Sequence, residues 1–303
     1  MENIRLKTQT KLLIFGIIVL IISAIFFNKN NIKCNYYGDL VLDKLLGFNS
    51  DCYERKIKGI IYPLVKNLKA RYDYLENKKV VNCPKNTTVI VISGQSNASN
   101  FLKSPKKYKN QHYNYFKGKC YNLSNPVLGA EGEMSSLIPA IANKLDSSKK
   151  IIFLTSGRGS MSIANANDKS GSFIDYNKEA LEELEKNNNI LKTFVWIQGE
   201  SDLGNSQYYI YNFQNMFEGI TKNLKKKNEI DLIITQTSKC FDKEDPLLRE
   251  KQKHISISRN KYIEVINTDS LGNEYRYDKC HYNQLGIEKL SNDISNIIIK
   301  LNK

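Results

Sequence analysis

A chain of 303 residues with 41% hydrophobic and 10% aromatic content can bury the core of one sizeable domain plus an appendage, which excludes an intrinsically disordered protein. The net charge of +14 raises nucleic acid as a partner, but the lysines are scattered among asparagines and isoleucines, with no basic helix or RNA-type aromatic motif. The charge therefore reads as compositional bias, no nucleic-acid partner is expected, and only an attraction to anionic glycans or lipid surfaces survives.

At the amino end, Arg5, Lys7 and Lys11 precede an uncharged apolar run, Leu12 to Phe27, that stops at "NKNNIKC". A basic flank before such a run marks a membrane-inserting segment. The run is slightly short for a spanning helix of about 20 residues, slightly long for a signal-peptide core, and followed by no small-x-small cleavage site. An uncleaved anchor is favoured over a removed signal peptide and over a buried core helix. Residues 1–11 are then expected in the cytoplasm, 12–27 in the inner (cytoplasmic) membrane as a single pass, and the rest in the periplasm or outside the cell. The membrane is a partner through this anchor. All six cysteines, Cys34, Cys52, Cys83, Cys120, Cys240 and Cys280, lie beyond the run, and none forms a C-x-x-C pair. Cys240–Cys280 is the favoured disulfide, because both follow strand-like runs that end the domain; free buried thiols are the alternative.

Residues 28–86 read as a stalk or helical extension, with one amphipathic helix near Tyr53–Leu75 built on Ile57, Ile60, Ile61, Leu64, Val65, Leu68 and Tyr72. From about Thr87 apolar runs alternate with helical stretches. Strands are predicted at Val89–Ser93, Ile151–Thr155, Thr193–Ile197, Leu232–Thr235 and Ile263–Asn267. Helices are predicted at Ser135–Leu145, Asn177–Lys186, Gln207–Lys226, Asp245–Arg259 and Asn283–Leu301. Strands separated by helices imply right-handed βαβ units. The expected fold over 87–303 is an α/β three-layer α/β/α sandwich around a mostly parallel five-stranded sheet.

The run Val89-Ile90-Val91-Ile92 empties straight into Ser93-Gly94-Gln95-Ser96-Asn97. A serine just past a buried parallel strand stands at the carboxyl edge of the sheet, where open α/β folds place their ligands. Three other segments follow predicted strands and gather at that edge: "TSGRGS" at 155–160, "WIQGESD" at 196–202 and "DKCHYNQLG" at 278–286. A serine hydroxyl becomes a nucleophile when a histidine accepts its proton and a carboxylate holds the other ring nitrogen. Of three histidines, His281 sits three residues after Asp278, whereas His112 and His254 lie in polar, lysine-rich surroundings and read as surface residues. Attack on an ester carbonyl also calls for donors aimed at the developing oxyanion. The Ser96 N–H at the head of a following helix, the Gly159 N–H and the Gln198 side-chain amide are the candidates. Taken singly, Gly159 is a loop glycine, Gln198 a polar strand-end residue, and D-x-x-H a common accident.

Taken in order, "GQSN" at Gly94–Asn97, "WIQGESD" at Trp196–Asp202, "DKCHYNQLG" at 278–286 and "NPVLGAEGEMSSLIPAIANKL" at 125–145 resemble the SGNH (GDSL-like) hydrolase superfamily, in its sialate O-acetylesterase and acetyl-xylan esterase branch. The likeness spans about residues 87–300. Its second block departs from the pattern, with Arg158-Gly159-Ser160 where Gly-Gly-Thr is usual. The resemblance implies a flavodoxin-like domain, an acyl-enzyme mechanism and no metal or organic cofactor. It implies Ser96 as nucleophile, His281 as base and then acid, and Asp278 as the residue orienting it. Gln95 and Asn97 would support the turn, with Asn97 pinning it. Glu200 and Asp202 would share one side if the strand continues, supporting His281 or bonding the Ser96 loop. Arg158 reads either as a structural residue or as positive charge beside an acidic sugar. The implied partner is an O-acetylated glycan of sialate, xylan or cell-envelope type, deacetylated by an exported esterase. Acetyl transfer by the same triad and glycan binding without catalysis are the alternatives.

Overall fold

The computed structural model describes residues 78–168, 172–237, 239–255, 262–268 and 271–301. The Leu12–Phe27 run, the helix expected over 53–75, Cys34 and Cys52 lie outside the described residues. Among the described residues no helix is long and apolar enough to cross a membrane, which overturns the expected single-pass inner-membrane placement. The longest described helix, Gln284–Leu301, carries Glu288, Lys289, Asp293 and Lys300, charges that a hydrocarbon layer opposes.

Among the described residues eight strands form one sheet: β1 (Val80–Val81), β2 (Thr88–Gly94), β3 (Tyr113–Phe116), β4 (Lys119–Asn122), β5 (Ile151–Thr155), β6 (Ile190–Ile197), β7 (Asp231–Thr235) and β8 (Tyr262–Ile266). Their order is β1-β4-β3-β5-β2-β6-β7-β8, with β3, β5, β2, β6, β7 and β8 mutually parallel and β4 antiparallel to both its neighbours. The sheet is thus mostly parallel, with eight strands rather than five. Of the three extra ones, β1 is only two valines long, and β3 and β4 are four residues each of mainly aromatic and polar type, such as Tyr113, Asn114 and Tyr115, so none carries a continuous apolar signal. Lys117 (φ +46°) and Gly118 (φ +76°) join β3 to β4, a two-residue turn with both centres left-handed, the geometry that suits the twist of a hairpin.

Six α-helices lie among the described residues: α1 (Ile138–Ala142), α2 (Ile163–Ala166), α3 (Ser172–Lys186), α4 (Tyr209–Thr221), α5 (Pro246–Lys253) and α6 (Gln284–Leu301). The alternation of β2 separates the two faces of the sheet. Val89 and Val91 pack into a cluster with Phe173, Leu181, Phe213, Phe217 and Leu248 from α3, α4 and α5. Ile90 and Ile92 pack into a second cluster with Ile138, Ile141, Ile287, Leu290 and Ile294 from α1 and α6. Helices therefore cover both faces, as in a three-layer α/β/α sandwich. All four β2 side chains are fully buried, each contributing about 1.5–3 kcal/mol of apolar burial. A strand buried on both sides reads as an unbroken apolar run, the pattern visible in the sequence.

All four described cysteines are paired. Cys240–Cys280 joins as expected, and Cys83–Cys120 ties the segment before β2 to β4. Each bridge closes a loop of about 40 residues, for which chain entropy predicts about 4 kcal/mol of stabilisation.

His112 does not sit on the surface. It is 2% exposed, its ring edge faces Phe153, and its Nδ1 has no hydrogen-bond partner. Burial pushes the ring below its ordinary value of 6.5, only partly offset by the Ala142 carbonyl and the Asp146 charge. His254 is exposed, as expected. The unfolded chain protonates His112 below about pH 6.5 while the folded chain resists, so this contribution to stability is lost as pH falls below that value. Thermal melts of wild type and His112→Asn should therefore show a stability difference that shrinks between pH 7 and pH 5; a difference flat across that range would refute the buried neutral imidazole.

Candidate active site

The site begins where β2 runs out. Gly94 has φ +142°, and a Cβ there would meet the Ile197 carbonyl oxygen at 2.0 Å. Only glycine lets the ends of β2 and β6 come this close. The Gln95 N–H then donates to the Ile197 carbonyl (2.9 Å), and the chain turns at once into a single 3-10 turn, Ser96–Ala98, rather than the longer helix expected. The first N–H groups of such a turn have no carbonyl partner within it. Ser96, 7% exposed, heads that turn at the carboxyl edge of the sheet.

The flanking side chains fasten the turn to two other loops. The Gln95 side-chain oxygen accepts from the Gly199 N–H (3.2 Å) and the Ser201 N–H (3.1 Å). The Asn97 amide donates to Glu200 Oε1 (3.1 Å) and to the Cys280 carbonyl (3.5 Å), and its oxygen accepts from the Tyr282 N–H (3.4 Å). The residue after Ser96 is thus bonded to both neighbours of His281. Behind β2, the Ser93 and Ser156 hydroxyls meet at 2.7 Å, and Ser156 donates to Asn177 Oδ1 (2.8 Å).

The 278–281 turn organises itself around Asp278. One carboxylate oxygen accepts the backbone N–H groups of Cys280 (3.0 Å) and His281 (2.7 Å), and the other meets His281 Nδ1 at 2.7 Å. Partial burial raises the Asp278 carboxyl, but the His281 ring and the two backbone N–H bonds outweigh it, holding it below its ordinary value. This leaves the far nitrogen of the imidazole, Nε2, free of the carboxylate. The rings of Tyr277 and Phe101 flank His281 at centroid distances of 6.0 and 6.1 Å, and the Tyr277 hydroxyl donates to the Phe101 carbonyl (2.9 Å). Buried Arg276, which the sequence reading passed over, donates to the carbonyls of Cys280 (2.7 Å) and Leu271 (2.9 Å) and lies over the Tyr282 ring. The Cys240–Cys280 disulfide ties the same turn covalently to the segment at Cys240.

Two expected oxyanion donors are otherwise engaged. The Gly159 N–H donates to Glu131 Oε2 (2.8 Å), a residue that sequence reasoning missed. Glu131 is held there by its own backbone, which accepts from the Asn100 N–H (2.8 Å) and donates to the Gly157 carbonyl (2.9 Å). The Gln198 side chain is buried, with its amide donating to the Met161 carbonyl and Asp202 and its oxygen accepting from Tyr209 (2.8 Å). It follows the alternation of β6 into the core, on the side that carries Trp196 two residues earlier.

Glu200 and Asp202 do not share a side. The strand ends at Ile197, Gly199 takes φ +153°, and residues 200–202 form a 3-10 turn from which Glu200 meets Asn97 and Asp202 meets Gln198. Glu200 bonds the Ser96 turn through Asn97, one of the two roles expected for it. Asp202 is 2% exposed and accepts the Ile163 N–H (2.9 Å) at the start of α2. Burial raises its carboxyl, against the pull of its hydrogen bonds from Gln198 and Ile163. Arg158 is half-buried with its guanidinium over the Phe173 ring, and its N–H donates to the Gly94 carbonyl (3.0 Å), so it packs the site wall. Burial pushes it down, against the nearby Glu131 charge. Among the described residues no group of three His, Cys, Asp or Glu side chains is arranged to hold a metal ion.

A family model described as carbohydrate esterase, sialic acid-specific acetylesterase, matches residues 138–300, a span that covers just over half of the chain and starts beyond Ser96. No curated protein matches the chain. Among solved structures, an X-ray structure of a protein from Arabidopsis thaliana superposes with a TM-score of 0.59 at 15% identity, over 72% of this chain and 99% of that one. A carbohydrate esterase family 3 protein from Talaromyces cellulolyticus gives a TM-score of 0.47 at 10% identity, over 71% of this chain and 97% of that one. The first of these likenesses is one of fold.

The contact at Gly94 makes a direct prediction. Gly94→Ala forces a Cβ into backbone and should cost about 3 kcal/mol in urea denaturation. Gly204→Ala, also at positive φ (+76°) but with nothing within 4 Å, should cost about 1 kcal/mol. Equal costs at the two sites would show that the β2–β6 approach is not tight.

Proposed function

The chain belongs to the sialic acid-specific acetylesterase family of carbohydrate esterases, and from that premise we propose that it removes O-acetyl groups from a glycan through a Ser96-His281-Asp278 acyl-enzyme mechanism. The observation that carries this reading is the Asn97 bridge. One side chain beside Ser96 bonds both residues flanking His281, while Asp278 holds the other end of the imidazole.

In this mechanism the Ser96 hydroxyl attacks the acetyl carbonyl as His281 Nε2 takes its proton. Asp278 keeps the Nδ1 proton in place and stabilises the imidazolium that forms. The Ser96 N–H faces the developing oxyanion, and the Gly159 N–H joins it once substrate displaces Glu131. His281 returns the proton to the departing sugar oxygen, leaving acetyl-Ser96. Water, deprotonated by His281, then releases acetate and restores the serine. Glu200 acts through Asn97 as a positioning residue. Export is part of the reading, and its support is the pair of disulfides, which persist in oxidising compartments.

Acetate release from O-acetylated sialic acid, xylan and peptidoglycan, with ethyl acetate as a minimal ester, tests the proposal. Ser96→Ala should abolish release. Asp278→Asn should lower turnover by about 10³- to 10⁴-fold, whereas Glu200→Gln should cost no more than about tenfold, the equivalent of one hydrogen bond. The reverse ranking would move the orienting carboxylate to Glu200. Acetate transferred to an added glycan in preference to water would identify a transferase.

A further inference from the structure

Phe241 is a large apolar side chain in a place that burial and backbone preference both oppose. The residue is 61% exposed and its φ is +50°, a conformation that a bulky residue rarely adopts. Asp242 (φ +61°) and Lys279 (φ +67°) share that conformation on either side of the same contact. Strain of this kind persists only where the surroundings over-determine it, and here they do. Cys240 and Lys243 exchange both backbone hydrogen bonds at 3.0 Å, the Phe241 N–H donates to the Lys279 carbonyl (3.0 Å), and Lys279 pairs with Asp242 (3.0 Å). The Cys240–Cys280 disulfide brings the two segments to a Cα separation of 4.2 Å. The loop is thereby locked to the turn that carries His281, and Phe241 is held outward on it.

A rigid exposed aromatic ring loses little entropy when it takes a partner, and what it has to offer is an apolar face. Sugar rings present C–H faces of matching size between their hydroxyls. The Tyr277 and Phe101 rings already flank His281 directly, so a sugar carrying the reacting ester lies against that inner pair. Phe241 is joined to the His281 turn through the Lys279 carbonyl and the Cys240–Cys280 disulfide, not through that ring pair.

We propose that Phe241 is a stacking platform for a sugar ring other than the one being deacetylated, which makes the substrate an O-acetylated oligo- or polysaccharide rather than a free monosaccharide. This rests on the esterase reading above. It adds a specificity-determining residue in a segment with no part in proton or acyl transfer.

The test measures kcat/KM by acetate release for ethyl acetate, O-acetylated sialic acid as the free sugar, O-acetylated xylan and O-acetylated peptidoglycan. The better polymer should exceed the free sugar by about two- to tenfold, since a stacked ring is worth about 0.5–1.5 kcal/mol. In Phe241→Ala that preference, taken as the ratio of polymer to ethyl acetate, should collapse through KM, and Phe241→Tyr should restore it. Phe241→Gly accepts the positive φ without strain, so its thermal midpoint should equal or exceed that of wild type while the preference is still lost. A free sugar as good as the better polymer, or an equal loss on ethyl acetate and polymer, would overturn the proposal. Failure of the esterase reading looks different: wild type would release no Ser96-dependent acetate even from ethyl acetate.

Discussion

The side chain of Asn97 is the junction on which the site depends. Its two ends bond three loops that arrive from separate parts of the chain: the turn after β2, the Glu200 loop after β6 and the Cys280–Tyr282 segment before α6. An amide suits this role because it donates and accepts at once through a short, planar group. An aliphatic residue of the same size would leave a backbone N–H and a carboxylate oxygen without this partner in a place closed to water, at a cost of about 1–3 kcal/mol each. The geometry of Ser96 relative to His281 is therefore set less by the two residues themselves than by the amide between them.

The surrounding structure divides into a part that supplies rigidity and a part that supplies position. Below the edge, β2 is buried on both sides and neighbours β5 and β6 in parallel register, so its end point has little freedom. At the edge, positions are set by polar contacts: Gln95 to the 199–201 loop, Asp278 to its own turn, Arg276 to the carbonyls of Leu271 and Cys280. The disulfide adds a covalent hold on the same turn. Such preorganisation is what a serine hydrolase requires, because the donors and the base must be in place before charge develops.

Glu131 satisfies a loop donor at the sheet edge. The Gly159 N–H has a carboxylate oxygen 2.8 Å away and is thereby paired within the protein. The same carboxylate lies beside Arg158, whose guanidinium already packs on Phe173. The positive charge at this wall is thus partly neutralised from within the protein.

Much of this protein was legible in its sequence, and the reasons are local. The run Val89–Ile92, the βαβ rhythm from Thr87 onward, the Asp278–His281 spacing and the glycine before Gln95-Ser96-Asn97 each carry information within a few residues, because strand periodicity and turn chemistry act over that range. The short strands Tyr113–Phe116 and Lys119–Asn122 were illegible because the first owes its place in the sheet to β5, more than thirty residues on in the chain, and the second pairs with β1, about forty residues back. The commitment of Gln198 to the core, the separation of Glu200 from Asp202, the burial of His112 and the hold of Glu131 on Gly159 were likewise beyond sequence reasoning. By itself the sequence determined the residue types, the order of the blocks and the edge of the sheet at which they meet. Only the tertiary structure decided which of the candidate donors are consumed by neighbours, because that choice depends on side-chain directions and hydrogen-bond partners brought together from distant parts of the chain.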